Sequence, residues 1–352
     1  MYRLGRNISV HLFGSSHGPC VGCIIEGLPK GTVISADRIA SEMELRKPKE
    51  GIGTPRKEKD IVEITGDING KTIGGPVTMI IRNENTHGRS YSQFKDKPRP
   101  GHADLPALMR FRNFDIRGGG PFSGRLTAPL VAAGAVMKDI LRSKGIEINA
   151  FARSIGGVED PEKNVSDAQL TDTRARTPAL DEKMKKEILK ASEDGDSVGG
   201  VVECIVTGLP IGFGGIWFEG LDSEIASAIF SIPAVKGIEF GKGFELSKMK
   251  GSESNDPYTI VNNKIVAEKN DMGGIVGGMS NGMPVVFKVA FKPTPSITKE
   301  QSTVDLKTMT QTSIKIEGRH DPCIVPRAVS VVEAVTAIVI ADQAKEAGLF
   351  DQ

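Results

Sequence analysis

Apolar residues along the chain fall into short runs broken by Gly, Pro and charged turns, with two longer runs standing apart. The spacing predicts strands at 8–13 and 21–26 joined by Gly14-Ser15-Ser16-His17-Gly18-Pro19. A helix follows from Ser35, whose hydroxyl suits an N-cap, and stops at Pro48. Further strands are predicted at 62–65, at 77–81 behind Gly74-Gly75-Pro76, and at 284–290. The two long runs, 127–141 and 327–344, carry Ala, Gly and Val on almost every face, and a helix apolar all round is a buried one. The strands alternate only in part, with Glu63, Glu203 and Lys288 on one side, so their sheets keep one face towards solvent. The pattern predicts buried helices with sheets outside them. Residues 181–192 read as an exposed helix within a more polar insertion at 160–200, and the charged stretch 49–59 reads as a mobile loop.

The pattern also repeats. GCIIEGLPKG at 22–31 returns as ECIVTGLPIG at 203–212, matching at Cys, Ile, Gly, Leu, Pro and Gly with a constant offset of 181. Ile39-Ala40-Ser41 is echoed by Ile225-Ala226-Ser227, Gly74-Gly75 by Gly277-Gly278, and Gly124-Arg125 by Gly318-Arg319. Two similar halves, roughly 1–150 and 200–350, are therefore expected to share one core in a single 352-residue domain.

Composition narrows the functional classes. With 39% hydrophobic residues the chain can bury a sizeable core, and a net charge of +1 argues against a general nucleic-acid binder. Neither apolar run has the length or uniformity of a membrane span, and the first residues lack the order of a secretory signal, so a cytoplasmic protein is expected. Four Cys fit a reducing compartment. Cys20 and Cys23 have the C-x-x-C spacing but no second pair, and read as small buried hydrophobes rather than a metal or redox site.

Charge is concentrated locally. Residues 95–125 hold seven Lys or Arg against three Asp, a balance of +4. Gly118, Gly119, Gly120 and Gly124 with Ser123 precede a helix, a combination suited to an anion at a helix N-terminus. Of five His, three sit in Gly- or Arg-rich loops: His17 in GSSHGP, His102 in RPGHAD and His320 in GRHDPC. His11, inside a strand, reads as structural and His87 as solvated. Lys292-Pro293-Thr294-Pro295-Ser296 offers a cation, two hydroxyls and two locked prolines to a phosphate. GSSHG lacks the strand-to-helix setting of a hydrolase nucleophile elbow, and neither a Rossmann fingerprint nor a P-loop is present.

GSSHG, RPGHAD, RGGGPFSGRLTA, GGMSNG, FKPTPSI and GRHDPC followed by PRA, in this order and spacing, resemble the chorismate synthase family over nearly the whole chain. The resemblance implies that family's α+β sandwich with antiparallel sheets, a homotetramer, reduced FMN as cofactor and NADPH as a candidate reductant. It implies a carbon–oxygen lyase reaction, the 1,4-anti elimination of phosphate from 5-enolpyruvylshikimate 3-phosphate. Residue by residue, it suggests His17 as the acid for departing phosphate, His102 as partner of the reduced flavin, and Asp321 with Ser16 and Ser123 in proton removal. Arg46, Arg125 and Arg327 are implied for the substrate's anionic groups. Pro121, Phe122, Ser123, Arg125, Ala234, Gly277, Lys292, Pro293, Thr294, Pro295, Ser296 and Arg319 match FMN-lining positions. Two segments depart from the family pattern: Pro121-Phe122-Ser123-Gly124-Arg125 stands where R-S-S-A-R is common, and the Arg-rich segment after Arg46 is shortened. An FMN-binding reductase or electron carrier, which needs neither His17 nor Arg46, and a phosphate-ester hydrolase centred on Ser16, which needs no flavin and a reactive serine, are the alternative readings.

Overall fold

The computed structural model describes residues 2–54, 58–84, 94–111, 115–161, 171–316 and 320–351. The first half contains β1 (Tyr2–Leu4), β2 (Ser9–Gly14), β3 (Cys20–Glu26), α1 (Ala36–Arg46), β4 (Val62–Thr65), the small ribbon β5 (Asp67–Ile68) and β6 (Lys71–Thr72), β7 (Val77–Arg82), α2 (Asp104–Arg110) and α3 (Thr127–Arg142). The chain continues with β8 (Glu147–Ile155), β9 (Val158–Glu159), α4 (Pro178–Glu193), β10 (Gly200–Thr207), α5 (Leu221–Phe230) and β11 (Val235–Phe240). The short helix α6 (Gly251–Ser254) then leads to the hairpins β12 (Tyr258–Val261) with β13 (Lys264–Ala267) and β14 (Ile275–Val276) with β15 (Met279–Ser280). Last come β16 (Val285–Phe291), the hairpin β17 (Gln301–Asp305) with β18 (Thr310–Ile314), and α7 (Val325–Glu346).

Two five-stranded antiparallel sheets form, in the orders β1-β2-β3-β7-β4 and β11-β16-β10-β8-β9. The order β-β-α-β-β-α thus runs twice, as β2-β3-α1-β4-β7-α3 and as β8-β10-α5-β11-β16-α7. The repeated Gly-Leu-Pro turn has the same physical cause in both. Gly27 and Gly208 have φ of 83° and 84°, and a Cβ on either would fall 1.9 and 2.0 Å from a carbonyl oxygen, of Asn7 and Gly145 respectively.

The helices α3 and α7 pack side by side between the sheets. They touch where Gly134 faces Ala334, and a Cβ at Gly134 would lie 2.4 Å from that of Ala334. In β16, Val285, Phe287, Val289 and Phe291 point into the core while Lys288 points out, giving the half-solvated sheet expected from the sequence. Polar residues on buried α7 are paired rather than stray: Asp342 accepts from the backbone N–H groups of Arg6, Asn7 and Ile8, and Glu333 meets Lys138 and the Ala150 N–H. Among the described residues no helix is long and apolar enough to cross a membrane.

Three local expectations change. The charged helix near 181–192 is α4, which does have a solvated face, but it buries Leu180, Met184, Ile188 and Ala191 on the other, a spacing of three and four that makes it amphipathic. In the stretch 49–59, residues 55–57 lie outside the described residues; Ile52 is buried and the Thr54 N–H donates to Asp321, so its first part is packed. Cys23 is buried and donates to the Pro129 carbonyl, whereas Cys20 is only half-buried, because three residues along a strand lead to the opposite face.

Candidate active site

A cavity of about 330 Å³ opens where the two halves meet. The first half contributes Arg46 from the end of α1, Asp60, the loop carrying Arg99 and His102, the glycine turn, and Arg125 and Thr127 at the start of α3. The second contributes Ile232, Pro233 and Ala234 between α5 and β11, Thr294, Pro295 and Ser296 after β16, and His320, Asp321, Ile324 and Arg327 around the start of α7. Both buried helices therefore present their N-terminal ends to one space, where free N–H groups favour an anion.

The glycine turn is built for close approach. Gly118, Gly119 and Gly120 adopt φ of 58°, 84° and 53°, which side-chain-bearing residues rarely adopt. A Cβ on Gly118 would lie 2.2 Å from the His17 ring, and one on Gly119 would lie 3.3 Å from the His102 ring. The strip passes between the two histidines. After it, the Ser123 hydroxyl accepts from the Arg125 N–H at 3.3 Å and closes the turn that enters α3.

Positive charge exceeds negative charge at the wall. Arg46 is fully buried; its Nε and Nη2 donate to Thr127 Oγ1 at 3.1 and 3.0 Å, and Nη2 also reaches the Gly124 carbonyl at 2.9 Å. Asp60 sits between Arg46, 3.6 Å away, and Arg125, with which it forms a direct ion pair. Arg327 donates to Asp321 Oδ2 at 2.6 Å while Asp321 Oδ1 accepts from the Thr54 N–H at 2.7 Å. Three guanidiniums thus share two carboxylates. Burial, and then the charge of Arg327, push Arg46 down to about 9, so it stays charged at neutral pH.

His102 belongs to a second charged group. Its Nδ1 lies 3.1 Å from Asp104 Oδ1, and Arg99 clasps the same carboxylate through Nε at 2.7 Å and Nη2 at 2.8 Å. Burial by itself would raise the Asp104 carboxyl, but hydrogen bonds from Arg99 and His102 outweigh it and hold Asp104 well below the usual range.

Of the residues singled out in the sequence, Arg46, His102, Phe122, Ser123, Arg125, Ala234, Thr294, Pro295, Ser296, His320, Asp321 and Arg327 line the cavity. Ser16, His17, Pro121, Gly277, Lys292 and Pro293 do not. Ser16 is buried, with its Oγ 3.1 Å from His17 Nδ1, and both stand behind Gly118. Lys292 reaches back to donate to the Gly101 carbonyl at 2.8 Å, next to His102; burial and then Lys236 lower its pKa. Gly277 lies in the turn between β14 and β15, with open space around it. Arg319 and His87 lie outside the described residues. Sequence reasoning passed over Asp60, Arg99, Asp104 and Thr54. Arg99 and Asp104 flank His102 within RPGHAD, a signal that was available, whereas Asp60 is one carboxylate in a charged loop and nothing local marks it.

The wall combines apolar surface with an unpartnered hydroxyl. Ile232, Pro233, Ala234, Ile324 and Val331 supply apolar surface, and the buried Thr294 hydroxyl has no hydrogen-bond partner among the described residues. Ala234 holds a φ of 73°, uncommon for a residue with a side chain, and its carbonyl accepts from the Lys292 N–H.

Fold and site together define an α+β enzyme with an internally repeated sandwich and a cavity whose wall carries more cations than anions. A family model described as chorismate synthase matches residues 8–344. A chorismate synthase of Dehalococcoides mccartyi is 46% identical over 357 aligned positions, covering 99% of this chain and 97% of the relative. One from Korarchaeum cryptofilum is 46% identical, covering 96% of each chain. A solved structure titled as the crystal structure of chorismate synthase superposes with a TM-score of 0.78 at 32% identity, covering 97% of this chain and 93% of that one. The chain belongs to the chorismate synthase family.

Proposed function

We propose that this chain eliminates phosphate from 5-enolpyruvylshikimate 3-phosphate to give chorismate, the last common step towards the aromatic amino acids. The observation that carries the reading is the excess of guanidinium over carboxylate in a cavity built by both halves: Arg46, Arg125 and Arg327 against Asp60 and Asp321. A substrate with two carboxylates and a phosphate takes up that excess and displaces water from it.

Reduced FMN completes the reading; when bound it would supply electron density for breaking the C–O bond, with no net redox change. His102, Phe122, Ala234, Thr294, Pro295 and Ser296 would hold it from the cavity wall. Pro121, Ser123, Arg125, Gly277, Lys292, Pro293 and Arg319 follow from the family resemblance.

The chain's own groups divide the proton work. His17 protonates the departing phosphate, which requires that phosphate to lie at the Gly118 edge of the cavity. Ser16, hydrogen-bonded to His17 Nδ1, orients that ring. Asp321, held between the Thr54 N–H and Arg327, assists removal of the C6 proton, with Ser123 lining the same cavity. The reading extends to a cytoplasmic homotetramer with NADPH as reductant. Exposed Ile216, Trp217, Phe218 and Phe244 support burial between subunits, which sedimentation equilibrium tests.

Anaerobic phosphate release is the direct test. Release only with chemically reduced FMN, together with chorismate absorbance, is expected. FMN binding without release favours an electron carrier, and release without flavin favours a hydrolase.

A further inference from the structure

We propose that Asp104 is a positioning residue that keeps the proton of His102 on Nδ1 and turns the bare Nε2 towards the cavity. The geometry begins outside the site. Phe94, Ile116, Ile314 and Ile316 form a small apolar cluster separate from the main core, and the Arg99 guanidinium lies 4.5 Å over the Phe94 ring. Arg99 then donates three times to Asp104: from its backbone N and Nε to Oδ2 at 3.1 and 2.7 Å, and from Nη2 to Oδ1 at 2.8 Å. The carboxylate is 1% exposed and the guanidinium 3%.

One acceptor position on Oδ1 remains, and His102 Nδ1 faces it at 3.1 Å. An ionised carboxylate carries no hydrogen, so this contact requires one on Nδ1. Arg99 Nη2 also lies 3.3 Å from Nδ1 and has a second hydrogen that a bare Nδ1 could accept, but that tautomer would set the Nδ1 lone pair against those of Oδ1 at 3.1 Å. With Nδ1 committed, Nε2 has no hydrogen-bond partner among the described residues, and His102 lines the cavity. Nε2 is then the atom that accepts a proton, and the imidazolium that results is held by the Asp104 carboxylate. The pair fixes both the ring's orientation and the position of its proton before any ligand arrives.

The catalytic consequence rests on the proposed role of His102; the positioning itself does not. Magic-angle-spinning ¹⁵N NMR of sedimented, histidine-labelled protein reads the tautomer directly, with His102 assigned by difference from His102→Gln. The wild-type protein is expected to show Nδ1–H, and Asp104→Asn to show a mixture with substantial Nε2–H. In phosphate release, Asp104→Asn is expected to lower kcat roughly 10- to 1,000-fold, with KM within about twofold. In a His102→Gln background the same change is expected to cost less than about threefold, since its effect passes through the ring. Should Asp104→Asn fail to fold because Arg99 is left unpaired, Arg99→Met with Asp104→Asn removes both charges and is read in the same way. Retention of the Nδ1–H tautomer in these variants overturns the proposal. A shifted tautomer alongside full activity of His102→Gln supports the positioning and removes the catalytic role assigned to His102.

Discussion

The ring of His17 lies against Gly118 so closely that a Cβ there would sit 2.2 Å from its Nδ1, while a Cβ on the next glycine would lie 3.3 Å from the His102 ring. A strip without side chains thus sets where both rings can stand. Gly118→Ala should displace His17 and also strain a backbone φ of 58°. The expected result is a loss of kcat of about 100-fold, the scale of a mispositioned general acid, with a folded protein by circular dichroism.

The two histidines themselves are expected to be dispensable for folding and needed for turnover. His17→Ala and His102→Ala should each slow phosphate release by roughly a hundredfold or more. Full activity in either variant would remove that residue from the chemistry.

Arg46 makes its contacts as a fork, to Thr127, Gly124 and Asp60 together, which an ammonium cannot reproduce. Arg46→Lys is expected to raise KM for the substrate at least about tenfold, the scale of a lost charge-assisted hydrogen bond, with a smaller effect on kcat. Steady-state kinetics at saturating reduced FMN provides the check.

Gly134 lets α3 approach the Ala334 position of α7. Gly134→Val should destabilise the fold by about 1–3 kcal/mol through overpacking, measured by denaturant unfolding. Ala334→Gly in the same chain should restore part of the loss. No restoration would mean that the clash is relieved elsewhere.

The depressed pKa of Asp104 makes a signed prediction about acid stability. A carboxyl whose folded pKa lies below its ordinary value contributes stability above that value and loses it as pH falls towards the folded one. Wild-type protein should therefore lose more stability than Asp104→Asn on going from about pH 5 to pH 2. Parallel stability curves for the two would contradict the assignment.

Much of the framework was legible without the structure because its causes are local. Ser35 caps α1 as its side chain allows, Pro48 lies just past that helix, and the all-round apolar runs become the two core helices. The repeat was equally readable, since Gly27 and Gly208 serve turns that only glycine satisfies. The amphipathic character of α4 was hidden by its charge: Leu180, Met184 and Ile188 bury one face while Lys and Glu dominate the count.

The alternation of elements, their duplication and the residue types concentrated in three loops all follow from backbone sterics and hydrophobic period, and so could be read along the chain. Which of those residues meet is settled only by folding. Asp60 joins Arg46 to Arg125, Thr54 reaches Asp321, and Arg99 braces Asp104 against His102, and the first two contacts bridge long separations in the chain. Such partners are chosen by packing two sheets around two helices. No local pattern encodes the distance between groups that only the closed core brings together.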